Sequence, residues 1–250
     1  MSEPQYIHGL HAARAAIKYD PAHIVEVWVE KGRRDARLER LLEGLQHGRV
    51  PLHRVARSEL DRLVPGGVHQ GIVLAYRGAA PRGEAELEHL LDALVEAPFL
   101  LVLDQVQDPH NLGACLRSAD AAGVHGVIAP RDRAAGLTPT VHKVASGAAQ
   151  SVPFFQVTNL ARTLRALRER GIWLVGAAGE GDASLYQADL TGPLAVLMGA
   201  EESGLRRLSR ELCDQLASIP MAGQVESLNV SVAAGVFLFE AVRQRRALRR

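Results

Sequence analysis

Hydrophobic positions recur along the chain with two periods, and the two alternate from one end to the other. In the first 77 residues an Ala-rich stretch at 11–18 predicts a helix and 24–29 predicts a strand. Leu38, Leu41, Leu42 and Leu45 recur at helical spacing, and the run 72–76 reads as a strand after the Gly66-Gly67 turn. Residues 78–83 then gather glycine and proline and mark a linker. A short amphipathic helix follows, with Leu87, Leu90, Leu91 and Leu94 on one stripe and Glu84, Glu86, Glu88 and Asp92 on the other, closed by Pro98. From residue 99 the pattern is strand and helix in turn. Strands are expected at 99–103, 126–129, 172–177, 194–198 and 218–221, and helices at 112–122, 141–148, from a Thr158 or Asn159 cap to 170, and at 230–248. The 99–103 run is continuously apolar, as a parallel strand covered on both faces must be. The alternation predicts a doubly wound α/β domain at 97–250, joined through 78–96 to a small α/β domain at 1–77.

With 250 residues, 47% of them hydrophobic and 23% charged, the chain buries a substantial core, which excludes disorder and a disulfide scaffold. Apolar stretches such as 99–103 and 194–198 span five residues, against the roughly 20 that a membrane helix needs. The first residues, Met-Ser-Glu-Pro-Gln, show no export signal, so a cytoplasmic protein without a membrane partner is expected. Cys115 and Cys213 read as reduced thiols rather than a disulfide or metal pair. The net charge of +1 implies no polyanionic partner, but its distribution is uneven. Residues 1–77 carry 12 basic and 9 acidic side chains plus six of the ten histidines, a mildly basic surface that suits nucleic acid. Aromatic residues make up only 4%, which argues against a stacking platform for bases.

In open α/β sheets ligands bind beyond the carboxyl ends of the strands. Four segments there are rich in glycine or small polar residues: 104–113, 178–181, 199–204 and 220–229. Several chemistries fail on these segments. There is no phosphate-binding P-loop, Ser184 stands where a dinucleotide fingerprint starting at Gly179 needs its third glycine, and Ser146 lies outside any G-x-S-x-G elbow. His110 has no metal-spaced partner, so no metal is expected. Asn111 caps the helix that begins at Leu112, or joins Arg117 in a clamp for a phosphate or oxyanion. Glu201 is placed to reach Arg117 across the crevice, and Asn229 caps the terminal helix.

At these residues the chain resembles the SpoU/TrmH branch of the SPOUT RNA 2′-O-methyltransferases. The resemblance rests on Asn111-Leu112-Gly113 through Arg117, on Leu197-Met198-Gly199-Ala200-Glu201 through Gly204, and on Ile219-Pro220-Met221 through Ser227-Leu228-Asn229-Val230. It extends to His8-Gly9-Leu10-His11-Ala12 and His69-Gln70-Gly71-Ile72, and within the branch the chain is most similar to enzymes that methylate a guanosine of 23S ribosomal RNA. The resemblance implies a C-terminal sheet threaded into a trefoil knot, an N-terminal RNA-binding domain, and a homodimer. It implies S-adenosylmethionine bound by Gly199, Ile219 and Leu228, with Met221, Ala178 and Gly179 nearby. It makes Arg117 the catalytic residue, with Asn111, Glu201, Ser227 and Asn229 around the ribose. The middle motif departs from the family, which has glycine after the glutamate where this chain has Glu202-Ser203. The left-handed backbone is less accessible to those residues, and Glu202 is expected to be exposed. The rival readings are a transfer-RNA methyltransferase of the same branch and a non-catalytic RNA-binding or ribosome-assembly protein.

Overall fold

The computed structural model describes residues 4–19, 21–33, 36–43, 45, 50–77, 82–181, 183–201 and 203–248. Residues 78–81 of the linker expected at 78–83, and the expected exposure of Glu202, lie outside the described residues. The chain divides into two compact units, residues Met1–Ala80 with Leu137–Ser146, and Pro81–Gly136 with Gly147–Arg250.

The first unit contains β1 (Gln5–His8), α1 (Leu10–Tyr19), β2 (Ile24–Glu30), α2 (Ala36–Glu43), β3 (Leu52–Val55), α3 (Arg57–Leu63) and β4 (Ile72–Tyr76). Its sheet runs β1-β4-β2-β3, antiparallel except where β2 meets β3. The period of two in β2 sorts its side chains. Val27 and Val29 join Ile72 and Leu74 beneath Ala13, Ala16, Leu38 and Leu42, whereas Trp28 points to the opposite face. That second face is covered at one end by α3, where Leu60 and Val64 pack on Val73. Trp28 packs against this cluster too, and the rings of Tyr6 and His53 adjoin it across the sheet. Two short strands of this unit, β1 and β3, go unread in the sequence; β3 is a largely exposed edge with no apolar alternation.

The second unit holds α4 (Glu84–Ala93), β5 (Phe99–Leu103), α5 (Pro109–Ala122), β6 (Gly126–Pro130), α7 (Ala148–Ser151), β7 (Phe154–Val157), α8 (Leu160–Glu169), β8 (Trp173–Ala177), β9 (Ala183–Ser184), β10 (Leu194–Met198), α9 (Arg207–Leu212), β11 (Gln215–Ser218) and α10 (Val230–Leu248); α6 (Pro139–Ala145) groups with the first unit. Its sheet runs β7-β6-β5-β10-β8-β11-β9, and every pairing is parallel. All five residues of β5, β6 and β10 are buried, the pattern of strands covered on both faces. Late strands fill gaps left by earlier ones: β10 enters between β5 and β8, and β11 between β8 and β9.

Three expectations need correction. The helix expected at 141–148 is α6 at Pro139–Ala145, which ends at Ser146 in the left-handed region (φ +53°). The strand expected at 218–221 is β11 at Gln215–Ser218, which pairs with β8 on one side and β9 on the other. Pro220 has no amide proton to donate to a ladder flanked on both sides, so the strand ends before it. The helix expected to begin at Leu112 begins at Pro109, with Asp108 accepting from the amide of His110. Asn111 is therefore not its cap; aspartate before a proline at the first helical position is the stronger start signal. Among the described residues no helix is long and apolar enough to cross a membrane.

Candidate active site

Three strand ends converge on one cleft of about 380 Å³ in the second unit. β8 delivers Ala178 and Gly179, β10 delivers Gly199 and Glu201, and β11 delivers Ile219, Met221, Ser227 and Leu228. All six residues expected to hold S-adenosylmethionine therefore line one space. The volume falls in the range of small-molecule sites, about 300–1,000 Å³.

The loop after β10 is closed on itself. The amide of Ala200 donates to the carbonyl of Gly204 at 3.1 Å and the amide of Gly204 donates back at 2.9 Å. A methyl group on Gly199 would lie 2.0 Å from the carbonyl carbon of Gly204, so only glycine permits this turn. The left-handed position in the described part of this loop falls on Gly204 (φ +62°) and not on Ser203. Behind the loop Asp104, fully buried at the end of β5, accepts from the backbone amide of Arg206 at 3.1 Å and from its Nε at 2.6 Å. The sequence showed Asp104 ending a strand but not its partner, 102 residues away.

Glu201 does not pair with Arg117 as the sequence suggested. Its Oε1 accepts from Asn111 Nδ2 at 2.7 Å and from Asn229 Nδ2 at 2.6 Å, and Asn229 Nδ2 also donates to Asn111 Oδ1 at 3.0 Å. A carboxylate only accepts hydrogen bonds, so it orients both amide groups and closes a triangle among three distant segments. Asn229 also caps α10, accepting from the amide of Ser231 at 3.0 Å. Cys115 lies under this cluster; burial first, and the Glu201 carboxylate second, push its thiol up to about 12. Arg117 is exposed on α5 and does not line the cleft.

The lining joins an apolar wall, including Val230, Ala233 and Phe237, to the carboxylates of Glu180, Glu201 and Glu226 and the guanidinium of Arg210. Arg210 lies 3.5 Å from Glu180. Such a lining suits a ligand that is part apolar and carries positive charge, which fits S-adenosylmethionine. The sequence missed Arg210 because α9, which carries it, is only six residues long and weakly periodic. Among the described residues no group of His, Cys, Asp and Glu is placed to hold a metal ion.

Comparisons with known proteins show the family to which this fold belongs. Residues 98–239 match the SpoU rRNA Methylase family, and residues 6–81 match the RNA 2′-O ribose methyltransferase substrate-binding domain. The 23S rRNA (guanosine-2′-O-)-methyltransferase RlmB of Shewanella oneidensis is 56% identical over 247 residues, spanning 99% of this chain and 100% of that one. RlmB of Pseudomonas putida is 53% identical over 249 residues, spanning 100% of both chains. Among solved structures, the SpoU methyltransferase AviRb of Streptomyces viridochromogenes in complex with AdoMet superposes with a TM-score of 0.71 at 28% identity, covering 98% of this chain and 91% of that one. On the strength of both matched segments and full-length relatives, the chain belongs to the SpoU rRNA methylase family.

Proposed function

We propose that this chain methylates the ribose 2′-hydroxyl of a guanosine in 23S ribosomal RNA, with S-adenosylmethionine as methyl donor, in the cytoplasm. The observation that carries the reading is the cleft itself, in which three strand-end loops meet beside the Asn111–Glu201–Asn229 triangle. When bound, the donor supplies a methyl group on a sulfonium, an electrophile strong enough that alignment is the main catalytic task. Ala178, Gly179, Gly199, Ile219, Met221 and Leu228 hold it, and the carboxylates around them favour its positive charge. Asn111, Ser227 and Asn229 position the ribose, with Glu201 fixing both amides. Residues 1–77 serve as the RNA-binding domain, joined through 78–96 to a catalytic domain at 97–250.

Arg117 acts as a hydrogen-bond donor to the developing alkoxide or an adjacent phosphate. A guanidinium keeps its charge and offers no lone pair, so the hydroxyl proton leaves to a phosphate oxygen or water. Since Arg117 is exposed outside its own cleft, it serves the cleft of a second subunit. Two observations support a homodimer through α5 and α10. Val232 and Phe239, seven residues apart on one face of α10, are 52% and 49% exposed, and α10 packs directly on α5. The late insertion of β10 and β11 between earlier strands supports a trefoil knot in this sheet.

Transfer of radiolabelled methyl to unmodified 23S ribosomal RNA, with the product nucleoside mapped, tests the proposal. Label recovered as 2′-O-methylguanosine is expected. Label on transfer RNA alone, or S-adenosylmethionine binding without transfer to any RNA, contradicts it.

A further inference from the structure

We infer that the open half of the first unit's sheet is a stacking platform for unpaired bases of RNA, built from Tyr6, Trp28 and His53. The inference rests on the proposed RNA substrate and assigns a surface that recognises it. The three rings come from β1, β2 and β3. His53 stacks on Trp28 with centroids 5.5 Å apart and planes at 22°, and Tyr6 meets Trp28 edge-on at 5.9 Å and 62°. Between β1 and β2 runs β4, whose Ala75 lies opposite both Tyr6 and Glu26; its small side chain leaves room for Tyr6 to reach Trp28. Trp28 itself packs on the Leu60, Val64 and Val73 cluster at α3, but the two rings flanking it are not so covered. Tyr6 is 46% exposed and the His53 side chain 44%.

The surroundings fit a polyanion. Arg54 beside His53, and Arg57 and Arg62 on α3, are exposed and make no ion pair among the described residues. Glu26 lies 3.2 Å from His53 Nε2, Asp61 of α3 lies 3.0 Å from His69 Nε2, and Glu59 is the remaining acidic side chain of α3. Residues 1–77 carry a net basic excess, and the substrate-binding match covers residues 6–81. Aromatic side chains engage the faces of bases, which a duplex hides and a single strand offers, so the occupant is unpaired RNA. The low aromatic content pointed away from such a platform, but three rings suffice when the register places them side by side.

The chain has two tryptophans, Trp28 and Trp173, so full-length Trp173→Phe makes Trp28 a single reporter. Its fluorescence is followed while a short single-stranded oligoribonucleotide, or the same sequence as a duplex, is added. Quenching by the single strand is expected, with the duplex binding more weakly. Tyr6→Ala and His53→Ala, which alter half-exposed positions, are each expected to weaken single-strand affinity roughly ten-fold. They should raise KM for ribosomal RNA and leave kcat and S-adenosylmethionine affinity unchanged; Trp28→Phe, which keeps a ring, should bind more tightly than Trp28→Ala. Unquenched Trp28 at saturating oligonucleotide, or parental affinity in both alanine variants, overturns the platform. Methyl transfer by the same preparations separates the two readings: transfer with unquenched Trp28 overturns the platform alone, and quenching without transfer overturns the proposed activity alone.

Discussion

The carboxylate of Glu201 holds two amides at once, and this gives its removal a defined signature. Glu201→Ala frees Asn111 and Asn229 from a common acceptor while leaving the apolar wall of the cleft in place. Methyl transfer is expected to fall by about 10²-fold, the scale of losing one preorganised polar group, with S-adenosylmethionine affinity nearly unchanged by calorimetry. The two thiols offer a second check. Burial, as the leading cause, holds both Cys115 and Cys213 at about 12, against an ordinary value of 9.0. Neither should react with iodoacetamide at pH 8 in the folded protein, as read by mass spectrometry, whereas both should react in denaturant. The unfolded chain loses these protons near pH 9 and the folded chain only near 12, so stability should decline as pH rises through that window. At this scale the motifs singled out residues that the fold gathers at or beside one cleft, Arg117 excepted. They did not disclose the partners of those residues. Glu201 lies 90 positions from Asn111 and 28 from Asn229, and no local rule links them.

Among the elements, the loop after β10 carries the tightest constraint. Gly199→Ala would force backbone at Gly204 and Leu205 to move, so S-adenosylmethionine binding is expected to be lost, with a lowered Tm in the same variant. Asp104→Asn removes the charge that Arg206 meets at the base of this loop. It should cost about 1–2 kcal/mol, measured by denaturant unfolding, because Arg206 is partly exposed and regains water. Long elements such as α10, with 19 residues, and the continuously apolar runs β5 and β10 were legible in the sequence. Short ones were not: β3 and α9 lack a repeat long enough to show a period. The slip at β11 has a specific origin, since apolar Ile219 and Met221 attract the assignment past the point where Pro220 stops pairing.

For the whole molecule, the doubly wound class followed from alternation, but the strand order did not. That order depends on pairings between distant segments, with β10 inserted beside β5 and β11 beside β8, and periodicity says nothing about which strands pair. The position of Arg117 belongs to the same scale. Its motif singles it out, yet it stands exposed outside the cleft of its own chain, which is why the proposed function assigns it to the cleft of a second subunit. Methyl transfer to unmodified 23S ribosomal RNA by co-expressed Arg117→Ala and Glu201→Ala chains tests this most directly. Each variant alone should be nearly inactive. Mixed dimers hold one intact cleft facing one intact arginine, so the mixture should recover about a quarter of the wild-type rate. A mixture no more active than either variant alone would contradict a site shared between two subunits.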